Sequence, residues 1–418
     1  MRVMTMLAVN NEVLCRTSKR VRGTVCTDSM PGIDAQLAAA HDLEKWLDKQ
    51  PGGGWFKIVL DPDQAEAVIR SGKLAVVLGI EVDTLFQCKT TNACTPESVA
   101  RQVDKYFAMG VRHIYPTHDF DGGFGGTAIW MDFLNVGNRI IDRQWYDVQP
   151  CTSSDFVLSS VPPAIAKTAL AGDPGVPYPH YGDKPGCNPK GLTALGKALV
   201  TKLMDKGMLI DIDHMSAQAI GDTGELATAR GGYPLMAGHG LFAELYQAAG
   251  KRHERMRTPE QLAVLRRLGG LVSVMTSDEL ADAKECKHSS RTFARNYQYA
   301  VAHMAGPVAF GSDFNGLAQH VGPRYGDDAC GQDPRQAAGE PSSQRLAYPF
   351  TLPGFGTFSK QVTGQRTFDF NSDGLAHIGL FPDLIADLMQ LGVDVEPLLR
   401  SAAAYVETWR RAVRLSRH

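Results

Sequence analysis

Residues 207–216 read GMLIDIDHMS. Apolar residues lead into an acidic pair, and His214 stands where a strand should end. Such a run has the form of a buried parallel strand whose polar residues collect at its C-terminal end. Three other stretches share this shape: LAVVLGIE ending at Glu81, YPLMAGH ending at His239 and PVAFGSD ending at Asp313. Hydrophobic strands that each deliver a histidine or carboxylate at the tip predict an α/β fold, a (β/α)8 TIM-type barrel with a metal site at its mouth.

Outward from these four, residues 2–9, 113–118 and 271–276 also read as strands, giving seven where a closed barrel has eight. Helical spacing is predicted over 33–49, 63–71, 95–109, 192–205, 216–230, 259–268 and 291–304, and in an amphipathic tail over 382–391 and 396–413. Two regions lack a sustained period and are rich in Gly and Pro: an irregular insertion at 119–190 and a loop-rich excursion at 314–373. An insertion of that length is usually a lid, a substrate loop or an excursion pinned by a disulfide. The reading is a single domain over residues 1–418.

With 44% hydrophobic and 21% charged residues, the composition is that of an ordinary globular protein, and a formal charge of −2 argues against a nucleic-acid partner. No stretch approaches the ~20 apolar residues of a membrane span. The opening MRVMTMLAV meets Asn10 and Asn11 too soon for a signal peptide. The eight cysteines fall into neighbours, Cys15/Cys26, Cys88/Cys94, Cys151/Cys187 and Cys286/Cys330, with no CxxC pair. Four loop-closing disulfides in an exported protein, periplasmic or extracellular with its signal missing from this chain, fit that pattern. Reduced, buried cysteines are the alternative.

Glu81, His118, His214, His239 and Asp313 all sit at predicted strand tips, where the catalytic residues of a barrel converge. Histidine and carboxylate are zinc ligand types, and a bridging carboxylate can hold two ions ~3.5–4 Å apart. Singly, a strand-end histidine is more often a structural residue and an aspartate before a loop is often a helix cap. Five together are hard to assign to coincidence.

The order of these residues resembles the membrane (renal) dipeptidase family of metal-dependent hydrolases, from about Leu74 onward. The resemblance is strongest at Gly-Ser-Asp-Phe-Asn-Gly, residues 311–316. It implies a (β/α)8 barrel with two zinc ions that cleaves dipeptides. Glu81 in Gly-Ile-Glu would be the metal-bridging glutamate, and His214 and His239 would bind the second zinc. Asp313 would bind the first zinc and move the proton of the attacking water to the leaving amine. His118, in Thr-His, would contact substrate and the oxyanion, and Arg255 would grip the substrate carboxylate.

The chain departs from the family at Val82, at Met256 and at Asp213, where the family commonly has serine. No His-x-Asp, the family's first-strand ligand pair, occurs in it. The missing pair and the missing eighth strand read as one absence, with residues 2–9 as the family's second strand. Two other functions fit the same residues: hydrolysis of a lactone, ester or cyclic amide, and a non-catalytic binding protein with a depleted metal site. The insertion is expected to cover the site or to form a homodimer contact.

Overall fold

A computed structural model describes residues 2–10, 12, 29–92, 94–151, 179, 186–246, 252–276, 285–315 and 319–417. Parallel strands cross it in chain order. β1 (Val3–Asn10) pairs with the length of β3 (Leu74–Val82), from Val3 opposite Ala75 to Asn10 opposite Val82. β3 then pairs with β4 (Val111–Ile114), and β4 with β5 (Leu209–Ile210). A second run joins β6 (Met236–Gly240), β7 (Leu271–Met275) and β8 (Ala309–Gly311). The runs meet where Asp211 bridges Met236 and the Ile212 amide donates to the Met236 carbonyl at 2.9 Å. The seven strands read from the sequence are therefore present, in order and parallel. Among the described residues the outer edges of β1 and β8 have no strand partner, so closure into a barrel is not seen.

Helices occupy the connections: α1 (Ser29–Asp48), α2 (Pro62–Arg70), α3 (Pro96–Ala108), α4 (Asp132–Asp142), α5 (Ala194–Asp205), α6 (Ala217–Ala229), α7 (Pro259–Arg267) and α8 (Ser290–Met304). Their starts follow local chemistry. Thr95 and Thr258 each form a capping box with a proline at the next position, and Asp61, Thr193 and Ser216 cap α2, α5 and α6. The tail forms α9 (Phe381–Gln390), a short helix Glu396–Leu399 and α10 (Ser401–Leu415). The core is continuous, from the strand interiors Val76–Leu78 and Val272–Val274 to Trp409 of α10, which is fully buried.

Several boundaries differ from the sequence reading. β4 ends at Ile114 rather than at His118. The Tyr115 amide still reaches the Ile80 carbonyl at 3.0 Å, but Pro116 has no N–H with which to continue the ladder. Thr117 and His118 thus lie beyond the strand. β5 and β8 are also shorter, placing His214 and Asp313 a few residues past the pairing. β2 (Phe56–Ile58), beside the start of β3, was not anticipated. The insertion contains α4, and the excursion contains two small hairpins, Phe350–Leu352 with Gly356–Phe358 and Gln361–Thr363 with Arg366–Phe368. Disulfides join Cys88–Cys94, Cys151–Cys187 and Cys286–Cys330, as neighbour pairing suggested; Cys15 and Cys26 lie outside the described residues.

Candidate metal centre

β3 carries Glu81 into the space at the C-terminal ends of the strands, where it meets His239 of β6 and His214 from just beyond β5. Glu81 Oε1 lies 3.2 Å from His214 Nε2 and 3.2 Å from His239 Nε2, and the two nitrogens are 2.9 Å apart. All three residues are buried. His214 is placed by left-handed backbone, φ +66° just after β5, where histidine is among the more tolerant non-glycine residues. His239 sits within β6, and Gly311 of β8 leaves room for it: a Cβ on Gly311 would come within 2.7 Å of the His239 Cα.

Each imidazole is anchored from behind. His214 Nδ1 donates to Asp119 Oδ1 at 3.1 Å, and His239 Nδ1 donates to Asp213 Oδ2 at 2.8 Å. Asp213 also accepts the His239 amide at 2.7 Å. A carboxylate can only accept, so these bonds place a proton on Nδ1 and turn the Nε2 atoms of both rings toward one another and Glu81. Two ring nitrogens and a carboxylate oxygen about 3 Å apart call for positive charge between them, a metal cation or, without one, a proton. Moreover, Glu81 Oε1 is buried without a hydrogen-bond partner. Ligand distances of ~2.0–2.2 Å for zinc fit a triangle of this size, with carboxylate–histidine pairs of the kind that orient metal ligands. The residues present fit a metal ion.

The electrostatics agree. Burial alone would raise the Glu81 pKa, but His239 and His214 overcome it and hold the carboxyl well below its usual range. Burial opposes charge on His239, yet Glu81 and Asp213 raise it well above the ordinary histidine value. Asp213 and Asp119 are lowered despite burial, Asp213 by His239 and Asp119 by His118 and His214. The pocket is a concentration of negative charge that retains protons where a metal cation would otherwise sit.

Beneath it lies a second polar layer. Asp211 accepts from His113 Nε2 at 3.0 Å and, through its other oxygen, from the amides of Asp213 and Gly238 at 3.0 and 3.1 Å. The Tyr405 hydroxyl, 3.2 Å from His113 Nδ1, accepts from Thr5 Oγ1 at 3.0 Å.

The other sequence candidates are placed as follows. His118 joins the cluster from the loop after β4, its Nε2 3.8 Å from Glu81 Oε1 and its ring 4.4 Å from that of His214. Its Nδ1 donates to Asp83 Oδ1 at 2.5 Å. Burial lowers its pKa, but Asp119, Asp83 and Glu81 together raise it to about 10. Arg255 is buried, with its guanidinium 5.2 Å from the Trp130 ring centroid, its Nε unpartnered and one terminal nitrogen 4.0 Å from Met275 Sδ at the tip of β7. Asp313 is only half-buried, with φ +49°, and accepts from Asn315 Nδ2 at 2.9 Å. It shares the rim but does not join the close-set ligand groups. Asp83, Asp119 and Asp213 have roles that the sequence reading did not assign. Of these, only Asp213 carried a signal, as a departure from the family to which no role was given.

The membrane dipeptidase family model, peptidase family M19, matches residues 176–323, which hold His214, His239, Arg255 and Asp313. A curated relative, an uncharacterized dipeptidase from Schizosaccharomyces pombe, is 25% identical over 276 residues, 65% of this chain and 49% of that protein. The chain thus spans about half the length of the curated relative it matches. Solved structures with the same fold include an amidohydrolase from Pseudomonas aeruginosa at 13% identity, covering 99% of this chain and 89% of that one with a TM-score of 0.55. A probable dipeptidase, PvdM, from the same organism is 14% identical over 99% of this chain and 86% of its own, at TM-score 0.56. A metallopeptidase from Rhodobacter sphaeroides, solved with a phosphinate mimic of the dipeptide L-Ala-D-Ala, is 14% identical over 98% and 86%, at TM-score 0.55. The family resemblance read from the residues is therefore matched by the comparisons: in sequence, over residues 176–323, the chain is related to the membrane dipeptidases.

Proposed function

We propose that this protein is a zinc-dependent hydrolase of the membrane dipeptidase type, cleaving a dipeptide or related amide bond. The observation that carries the reading is the convergence of Glu81, His214 and His239 on one space, with a buried Glu81 oxygen that has no hydrogen-bond partner. Those three residues would hold the ion. A bound metal of this kind supplies Lewis acidity and a nucleophilic water at neutral pH.

The chain's own residues supply the rest. Asp119 and Asp213 fix the ring orientation and tautomer of His214 and His239. Arg255, a buried cation with a free Nε, offers paired donors to the terminal carboxylate of a small peptide. Asp313 on the rim is the group suited to take a proton from the attacking water on its carboxylate and release it to the leaving amine. Three disulfides favour an exported protein, in keeping with the cysteine pattern.

The test is hydrolysis of a panel of dipeptides by metal-stripped protein with and without added zinc, read by amino-acid release. Zinc-dependent cleavage is expected. Protein that takes up zinc yet cleaves no dipeptide, while opening lactones or esters, would overturn the peptide assignment.

A further inference from the structure

The backbone brings Trp130 and Arg255 side by side. Ile129 and Glu254, the residues just before them, bond reciprocally: the Ile129 amide donates to Glu254 Oε2 at 2.8 Å, and the Glu254 amide donates to the Ile129 carbonyl at 3.2 Å. One step earlier, the His214 carbonyl accepts from the Ala128 amide at 2.7 Å and from Thr127 Oγ1 at 2.9 Å. The segment that carries Trp130 is therefore tied both to His214 and to the segment that carries Arg255. The Arg255 guanidinium lies over the Trp130 ring, 5.2 Å from its centroid and within cation–π range, and the His253 ring is 5.8 Å from the same indole. Three polar atoms of this group, Trp130 Nε1, His253 Nδ1 and Arg255 Nε, are buried without a hydrogen-bond partner.

We propose that Trp130 is a substrate-binding residue that works with Arg255, its indole N–H donating to the same terminal carboxylate. Native interiors rarely leave buried polar groups unpaired unless water or a ligand satisfies them. An indole N–H and a guanidinium can donate but cannot accept, so a partner common to both must be an acceptor. Among the described residues the guanidinium has only the Met275 sulfur, 4.0 Å away, as an acceptor, and its buried charge favours an anion. A carboxylate has two oxygens and can accept from both residues at once, whereas a carboxamide has one acceptor oxygen. Trp130 thereby makes the subsite discriminate a free carboxyl terminus from a blocked one. The assignment rests on the hydrolase reading, in which Arg255 meets the substrate carboxylate, and adds a second donor to it.

The probes are a dipeptide analogue whose amide is replaced by a methylene-amine link, which binds without being cleaved, and the C-terminal carboxamide of that analogue. Full-length protein with zinc added and ¹⁵N-labelled tryptophan is titrated with each. Of its five indole N–H resonances, the one absent in W130F should move downfield with the acid probe and hardly at all with the carboxamide. By calorimetry W130F, which keeps a ring but loses the donor, should bind the acid probe at least ~10-fold more weakly, as for a lost hydrogen bond to a charged group, and the carboxamide nearly as well as wild type does. A Trp130 resonance unmoved by bound acid probe, or equal losses for both probes in W130F, would overturn the proposal and leave the hydrolase reading intact. Wild-type protein that binds neither probe would also overturn it, and dipeptide cleavage by the same preparation would still uphold the hydrolase reading. A Trp130-dependent preference for the acid in a protein that cleaves no dipeptide would support the assignment and remove the hydrolase reading.

Discussion

Asp213, a departure from the family pattern in the sequence reading, has a definite part in the geometry. Its carboxylate takes both the amide and the Nδ1 proton of His239, so one residue fixes the strand position and the ring. D213A should weaken zinc binding ~10–100-fold while leaving the fold intact, measurable by chelator competition. Gly238 is equally exposed to test, because a Cβ there would fall 2.1 Å from the Tyr115 hydroxyl and 2.6 Å from Asp211 Oδ2. G238A should therefore displace the layer beneath the centre and destabilise the protein by about 1–3 kcal/mol, the usual cost of overpacking, read by denaturant unfolding. At this scale the sequence was informative for Glu81, His214 and His239, since each lies near the end of an apolar strand or just beyond it. Asp83 and Asp119 were silent, because an aspartate in a loop has the same local signature whether it caps a turn, meets solvent or orients a ring.

The irregular insertion is less irregular than its composition. It holds α4, which organises the loops around it: fully buried Asn135 and Asn138 bind the amides of Tyr146 and Asp121 through their side-chain oxygens, and Asp142 accepts the Thr90 amide. The apolar residues of α4, Leu134, Val136, Ile140 and Ile141, do recur at helical spacing, but the short run was lost among the Gly- and Pro-rich stretches on either side. The insertion is also tied to the main body by Glu254, whose carboxylate accepts the amides of Ile129, Asn188 and Ala217 at 2.8, 3.0 and 2.9 Å. Burial raises its pKa from 4.5 to about 7, against the lowering effect of those amides and Arg257. The unfolded carboxyl releases its proton near 4.5, whereas the folded one retains it to about 7. The contribution of Glu254 to stability is thus fully present below pH 4.5 and is lost as pH rises through about 7, by up to roughly 3 kcal/mol. E254Q should remove that slope; unfolding free energies at pH 5 and pH 8 for both proteins would show it, and an unchanged slope would place its source elsewhere.

For the whole molecule, strand order was legible because fully buried parallel strands are continuous apolar runs punctuated by glycine and proline. Closure was not, since pairing between β1 and β8 leaves no mark in either sequence, and neither edge has a strand partner among the described residues. Metal occupancy should act on this whole. If zinc binds the folded chain alone, a free concentration 100 times Kd adds about 2.7 kcal/mol to its stability. Removing it with a chelator should lower Tm, and replacing it should restore Tm. If unfolding is indifferent to zinc, the centre described here does not bind it.

The disulfides carry one further consequence. All three lie in connections leaving the C-terminal ends of strands: Cys88–Cys94 after β3, Cys151–Cys187 after β4, and Cys286–Cys330 spanning α8 and β8. Sequence separations of 6, 36 and 44 correspond, by loop-closure entropy, to about 2, 4 and 4 kcal/mol, on the scale of an ordinary domain's entire stability. Among the described residues the covalent lacing lies at the rim that bears the ligands, while the opposite end of the sheet is held by packing, hydrogen bonds and ion pairs. A thiol reductant is therefore expected to loosen that rim before the core.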